Sequence, residues 1–205
     1  MSLRKSNLKN KEKYRLSFAA GGSLYIPEGK LFIDLFLKFS DWNSVLKEIV
    51  KENVLQFNSD LTTSRRAREL CLRLKSLSTE ELSFYSEADF QDQSILSWIA
   101  LCRTYVFIGD FSSKVILESF AKYRLEITYA DFDFFFEDEK HLHSELGEIA
   151  EITRKKLRQV LFKMMKEAGF LTSTKKLKSL LPSTRLRNLS STQKDINRFI
   201  PGGAI

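Results

Sequence analysis

Apolar side chains recur at intervals of three and four residues along most of this sequence, the spacing that places them on one face of an α-helix. The longest such pattern covers residues 144–171. Its apolar or small positions are Leu146, Ile149, Ala150, Thr153, Leu157, Val160, Leu161, Met164, Ala168 and Leu171. The opposite face begins with glutamates and ends with lysines and arginines, the order that the helix dipole favours. The pattern predicts one long, half-buried helix with Ser144 as its N-cap and Gly169 at its C-terminal stop.

Shorter segments with the same spacing predict that the rest of the chain is helical too. The segments expected to form helices are 31–39, 42–51, 62–77, 78–86, 88–108, 114–123 and 132–141. Asp41 and Asp131 are predicted N-caps, and Ser78 begins an S-x-x-E capping box. Residues 124–129 alternate in the manner of a short strand, but no partner strand is evident nearby. We therefore expect an all-α, single compact domain of about seven to nine helices.

The composition changes towards both ends of the chain, which predicts three regions. Residues 1–13 are polar and basic with little to bury, so they are expected to form a flexible basic arm. Residues 14–171 form the predicted helical domain. Residues 172–205 are rich in Lys, Ser and Thr, and Pro182 interrupts a weak rhythm of leucines. We expect this last region to be a basic, partly ordered appendage.

Two features bear on the compartment in which the protein works. Cys71 and Cys102 lie inside apolar helical patterns without C-x-x-C spacing, which favours buried free thiols in a reducing environment. The most apolar run, residues 95–109, is too short to span a bilayer and contains Arg103, so it predicts a buried core helix. The polar N-terminus does not look like a signal peptide. The expected location is the cytoplasm, without membrane insertion.

The formal net charge of +7 is distributed very unevenly along the chain. Counting Lys and Arg against Asp and Glu, residues 1–15 carry +5, residues 16–153 carry −9 and residues 154–205 carry +11. Local clusters of charge, rather than the total, set the electric field that a polyanion experiences. The segregation therefore points to binding of a nucleic-acid backbone by basic segments.

Three basic segments supply the candidate residues for phosphate contacts. One lies in the predicted helix 62–77, one in the long helix and one in the C-terminal appendage. The candidates are Arg65, Arg66, Arg68, Arg73, Arg154, Lys155, Lys156, Arg158, Lys175, Lys176, Lys178, Arg185 and Arg187. Phosphate contacts give affinity without reading sequence, so weak specificity and a steep loss of binding with salt are expected.

An acidic region near residue 135 raises the alternative of a metal-dependent enzyme. Its carboxylates and imidazoles are Asp131, Asp133, Glu137, Asp138, Glu139, His141 and His143. A nuclease would use Asp131, Asp133 and Glu137. The pattern is better explained by acids that favour the start of a helix, because the two histidines lack H-E-x-x-H spacing. We therefore predict no catalytic residues, no metal and no cofactor.

Four motifs, taken in order, resemble one known family. They are S-F-x-x-G-G-S-L from Ser17, D-W at Asp41, R-R-x-R-E-L from Arg65, and T-R-K-K-L-R-Q-V-L-F-K-M from Thr153 with E-A-G-F-L from Glu167. The resemblance is to the BrxA family of bacterial BREX phage-defence systems. It covers residues 14 to 190 approximately, and the K-L-R-Q-V-L block is its most specific part.

The resemblance implies a helical fold like that of the antitermination factor NusB and a non-enzymatic, DNA-binding role in BREX defence. The implied partners are duplex DNA and other BREX proteins, with no small-molecule substrate. Two alternatives remain open. The chain could be a scaffold that docks other defence proteins through its acidic middle and apolar helices, or, by analogy with the fold alone, an RNA-binding module.

Overall fold

The protein is described by a computed structural model over residues 13–52 and 60–203. Apart from Lys13, the predicted N-terminal arm lies outside the described residues. The helices are α1 (Ile26–Phe39), α2 (Trp42–Lys51), α3 (Asp60–Leu74), α4 (Thr79–Glu87), α5 (Phe90–Thr104), α6 (Val106–Phe111), α7 (Glu118–Ala121), α8 (Tyr129–Lys140), α9 (Glu151–Glu167), α10 (Thr184–Arg187) and α11 (Ser190–Phe199). Over these residues the chain forms no strand beyond two isolated bridges, so the predicted all-α class is confirmed.

The centre of the fold is α5, which contacts α1, α3, α4, α6 and α11. Every residue from Asp92 to Cys102 is buried. Four of these residues are polar, and Gln93 and Ser97 form buried hydrogen bonds with Tyr85, so the helix can be buried on all its faces. The prediction that the most apolar run is a buried core helix is confirmed.

The predicted helix 88–108 is wrong in one respect, because the chain turns sharply at Tyr105. The backbone of Tyr105 is extended (φ −123°, ψ 94°), and α5 meets the helical run Val106–Ala121 at 116°. Tyr105 is fully buried, and its hydroxyl donates a hydrogen bond to Glu69 at 2.5 Å. This contact with α3 fixes the bend. The run Val106–Ala121 contains a π-helical stretch, Ser112–Leu117, between α6 and α7.

The predicted start of the long helix is also wrong. The helix α9 begins at Glu151, whereas Ser144–Glu148 forms a separate 3-10 helix and Ser144 is not an N-cap. Ile149 and Ala150 are extended between the two. Gly147 weakens helix formation at this point. The short 3-10 helix places the Leu146 side chain in the core. The predicted end is close, because Gly169 adopts a left-handed conformation (φ +90°) just after α9.

The local capping signals are borne out with one shift. The Asp41 carboxylate accepts hydrogen bonds from the N–H groups of the first turn of α2, and Ser78 with Glu81 forms the predicted capping box of α4. Asp131 is not the cap of α8. The helix begins three residues earlier than predicted, after Thr128, and the Asp131 carboxylate reaches back to accept from the Thr128 N–H at 2.6 Å.

The C-terminal part of the chain packs against the core through α10 and α11. A tight antiparallel turn, residues 171–177, follows α9 and is named here the C-terminal hairpin; it is closed by the bridge Leu171↔Leu177. Leu186, Ile196 and Phe199 are buried with the residues of α5. A second bridge, Glu126↔Lys176, supplies the distant partner for the extended segment before α8. The division into a domain and a separate appendage stays a prediction.

Within the described ranges, no single helix is both long and apolar enough to cross a membrane. Phe90–Thr104 and Val106–Ala121 meet the criterion only when they are taken together, across their 116° bend. The same two helices supply Trp98 and Phe107 to the centre of the core.

Candidate nucleic-acid interface

The exposed face of α9 carries a row of cations. Heptad spacing brings Lys156 and Lys163 to the same side of the helix, and Lys155 and Lys166 lie beside them, with the polar Gln159 in between. The opposite side of α9, which includes Leu157, Leu161 and Met164, is buried. This division of apolar and basic positions holds the lysines outward. The four lysines are named here the α9 basic face.

The arginines of α9 differ from these lysines because they pair with acids of α8, whereas Lys155 and Lys163 lie 3.8 and 3.5 Å from acids of α9 itself, Glu151 and Glu167. Arg154 forms salt bridges with Glu137 and Glu151, and Arg158 pairs with Asp133. Both arginine side chains are half-buried. Their charge is therefore largely neutralised within the protein, and their main effect is to hold α8 against α9.

The C-terminal hairpin meets α9 at Tyr129. The Lys175 Nζ lies 4.4 Å from the centroid of the Tyr129 ring, and the Arg158 Cζ lies 4.6 Å from it. The ring also packs edge-on against Phe162 of α9. Cations are attracted to the faces of aromatic rings, so this stack fixes the basic hairpin beside the helix. Lys176 and Lys178 are exposed near this junction.

The candidates on α3 divide into exposed and buried groups. Arg65 and Arg68 are exposed. Arg73 is only 2% exposed; its Nε binds the Glu69 carboxylate at 2.9 Å and its Nη1 donates to the Ser23 carbonyl at 2.8 Å. A side chain held in this way does not reach a nucleic acid on the surface. Arg73 is therefore removed from the candidate interface and is a structural residue.

One loop, residues 21–25, connects the basic sides of α3 and α9. Arg66 of α3 is hydrogen-bonded to the Tyr25 hydroxyl, which donates to the Gly21 carbonyl at 2.7 Å. From α9, the Lys163 Nζ donates to the Gly22 carbonyl at 2.8 Å. Burial raises the pKa of Tyr25, so its hydroxyl stays protonated and continues to donate. Arg66 and Lys163 thus contact the same loop, whereas the exposed Arg68 lies beside α2, where it lines a groove with Asn43 and Lys47.

The last two candidates lie elsewhere. Arg185 pairs with Glu87 of α4 and lies over the Phe84 ring, and Arg187 donates to the carbonyls of Pro182 and Gly203. These contacts fasten α10 to α4 and to the end of the described chain. In the described residues the hairpin contacts α9 directly and α3 is linked to α9 through the loop 21–25, whereas α10 is anchored at a different place.

The sequence candidates did not include Lys163 and Lys166, although both belong to the α9 basic face. Their signal was present, because each continues the 3.6-residue period of Lys155 and Lys156 on the polar side of the long helix. The sequence candidates on this helix came from the short basic run 154–158, which lies near its start. The structure shows that the C-terminal half of α9 is the half whose cations face away from α8.

The acids that could have formed a metal site take cationic partners instead. Asp131 is bound by Arg124 at 2.6 Å, and Asp133 and Glu137 are bound by the α9 arginines. Hydrogen bonds from Thr128 and Arg124 outweigh the effect of burial and lower the pKa of Asp131. Across residues 13–52 and 60–203, no group of three or more His, Cys, Asp or Glu side chains is arranged to hold a metal ion.

The comparison with known proteins identifies the family. The BrxA family model matches residues 12–193, which is most of the chain and includes all three basic segments. The chain belongs to the BrxA family. The BREX protein BrxA of Escherichia coli O9:H4 is 24% identical over 201 residues, which cover 96% of this chain and 94% of that protein. The resemblance of the four sequence motifs to BrxA is confirmed.

A further BrxA relative agrees with this assignment, and one solved structure has the same fold. The BREX protein BrxA of Bacillus cereus is 24% identical over 162 residues, covering 79% of this chain and 80% of that protein. A crystal structure of an uncharacterized protein from Magnetospirillum magneticum superposes with a TM-score of 0.73 at 21% identity, covering 93% of this chain and all of that one. That protein therefore shares the fold of this chain, and the curated relatives are BREX proteins, which supports a role as a BREX component.

Proposed function

We propose that this BrxA-family protein serves BREX defence by binding duplex DNA through phosphate contacts. The α9 basic face forms the centre of the contact, with Lys176 of the C-terminal hairpin and the following Lys178 on one side, and α3, linked through the loop 21–25, on the other. The contacts are made to the backbone and fix the position of the protein on the duplex without reading its bases. Other BREX proteins are the expected protein partners.

The observation that carries this proposal is the arrangement around α9. The hairpin is stacked against α9 through Tyr129, and α3 is joined to α9 through the loop 21–25. No carboxylate of the described residues lies within 4 Å of the side-chain nitrogen of Lys156, Lys166 or Lys176. A cation without an acid partner in the protein is attracted most strongly by a phosphate, because no protein carboxylate already offsets its charge.

Salt dependence provides the test of the electrostatic mechanism. About four to five phosphate contacts predict that the logarithm of the association constant falls against the logarithm of salt concentration with a slope of about −4. Affinity should then decrease roughly 250-fold between 50 and 200 mM salt. The measurement is fluorescence anisotropy with a labelled duplex at a series of salt concentrations.

Two duplexes of equal length and unrelated sequence serve as the control for specificity. The proposal predicts affinities that agree within about threefold, because each backbone presents the same phosphates. A flat salt response would remove the phosphate mechanism. Strong preference for one sequence, or for a structured RNA of the same charge, would instead assign the surface to base or RNA recognition.

Protein docking is the second candidate, and it is favoured by two exposed apolar side chains. Phe134 of α8 is 77% exposed and Ile152 of α9 is 79% exposed. Burying such side chains in a protein contact would remove apolar surface from water. Co-purification with the other BREX proteins, lost on Phe134→Ser and retained on reversal of the α9 lysines, would separate this role from DNA binding.

A further inference from the structure

The loop 21–25 already holds an anion, and that anion comes from the protein itself. The Oε2 of Glu167, the last residue of α9, accepts a hydrogen bond from the Leu24 N–H at 2.6 Å. Its Oε1 accepts from the Ser23 hydroxyl at 2.9 Å. Two donors from consecutive residues thus bind the two oxygens of one carboxylate. A phosphodiester presents two oxygens of the same kind.

The backbone conformation of the loop explains why it suits an anion. Gly21 is right-handed (φ −67°, ψ −42°) and Gly22 is left-handed (φ +73°). Such a succession can turn neighbouring N–H groups towards one side; here the Gly21 N–H donates to the Phe18 carbonyl, and the turn presents the Ser23 hydroxyl and the Leu24 N–H to the anion. A Cβ on Gly22 would meet nothing within 4 Å, so the loop is open to the surface at this residue.

Cationic groups surround the loop on two sides. The Lys163 Nζ lies 3.5 Å from the Oε1 of Glu167 and is bonded to the Gly22 carbonyl. The buried Arg73 approaches from α3, and a Cβ on Gly21 would lie 2.3 Å from its Nη2. That Nη2 is buried and has no hydrogen-bond partner in the described residues. The loop therefore has more donor capacity than Glu167 uses.

We infer that the loop 21–25 is a phosphate-binding site whose resting occupant is the Glu167 carboxylate. A backbone phosphate of duplex DNA takes its place beside Lys163 and Ser23 when DNA lies on the α9 basic face. Glu167 is half-exposed at the end of its helix and has a flexible side chain, so it turns out to solvent. The inference rests on the proposed DNA binding. Glu167 then competes with the DNA phosphate for the loop and lowers the affinity of the protein for DNA.

The substitution Glu167→Gln tests the competition. The amide keeps the size of the side chain and an oxygen that accepts from Leu24, but it removes the negative charge that a phosphate must displace. We expect duplex affinity to increase roughly threefold to tenfold, with the larger gain at low salt, where charges are less screened. Adding Ser23→Ala should reduce the gain, because the phosphate then loses a donor.

The matched control is Glu148→Gln, which makes the same change of charge at an exposed residue before the other end of α9. A helix of 17 residues extends about 25 Å, so this position is remote from the loop. An equal gain from both substitutions, or no gain from Glu167→Gln, would overturn the inference while leaving DNA binding intact. Absence of duplex binding by the unsubstituted protein would overturn both.

A second measurement needs no variant. In the unsubstituted protein, the ¹⁵N–¹H signal of Leu24 should shift when duplex DNA is titrated, because the partner of its N–H changes, and that of Ser23 should shift because its hydroxyl loses Glu167. If these signals stay in place while those of the α9 lysines move, Glu167 remains bound and the inference fails. A shift produced by inorganic phosphate but not by duplex would overturn the assignment of the site to DNA.

Discussion

Reversing three lysines, Lys156→Glu, Lys166→Glu and Lys176→Glu, is expected to lower duplex affinity by about 100-fold to 1,000-fold at 100 mM salt. Each change removes one phosphate contact and places a carboxylate against the backbone, so loss of attraction and new repulsion act together. None of the three side chains forms a salt bridge within the described residues, and all three are exposed. The fold should be retained, with an unchanged helical circular dichroism spectrum. Anisotropy titration gives the affinity.

The matched control reverses three other exposed lysines, Lys38, Lys122 and Lys194, which lie on α1, on the turn after α7 and on α11. The net charge changes by the same amount, but the charges are placed away from α9. We expect less than a tenfold loss from this control. Equal losses from the two triple variants would mean that only the total charge matters, and the α9 basic face would then have no special role.

The substitution Arg103→Met is expected to destabilise the protein by about 3–5 kcal/mol, which lowers the melting temperature by roughly 8–15 °C for a chain of this size. The Arg103 guanidinium holds both oxygens of Glu81 at 2.7 and 2.8 Å, and its Nε binds Asp195 at 2.6 Å. Glu81 has no exposed surface. Removal of the arginine leaves a buried carboxylate without its cation. Differential scanning calorimetry measures the loss.

The pH dependence of stability identifies the cause of that loss. Burial alone would raise the pKa of Glu81, but the hydrogen bonds from Arg103, Ser78 and Thr192 outweigh it and hold the pKa below its ordinary value. The stabilisation is thus complete above about pH 4.3 and is lost as pH falls through the lowered folded value. In Arg103→Met this acid-labile component should shrink. A loss below about 1 kcal/mol with an unchanged acid profile would contradict the account.

The helical class and the buried α5 could be predicted from the sequence because both depend on local periodicity. The positions at which α9 begins and α5 bends could not, since they depend on contacts between distant residues. Tyr105 leaves the helix because its hydroxyl reaches Glu69 of α3, and Leu146 enters the core through a 3-10 turn. Neither contact has a signature in the neighbouring sequence.

The candidate interface could be predicted in part for a related reason. A count of cations along the chain correctly indicated that α3, α9 and the hairpin are basic. Such a count does not include the acids that another helix places beside those cations in the fold. Arg154 and Arg158 are matched by acids of α8, and Arg73 is buried under the loop 21–25. Lys163 and Lys166 lie away from those acids, although Lys163 is 3.5 Å from the Glu167 carboxylate. The pairing of charges between helices decides which cations are available.

The most direct test of the central claim is photo-cross-linking from one position on α9. Gln159 lies among the α9 lysines and Gln193 lies on α11, and both are exposed. A thiol-specific photoreactive probe can be attached to Gln159→Cys or Gln193→Cys alone, because Cys71 and Cys102 are buried and burial raises the pKa of the Cys71 thiol to about 12. The account predicts efficient cross-links to duplex DNA from position 159 and few from position 193. Equal yields, or a higher yield from α11, would contradict it.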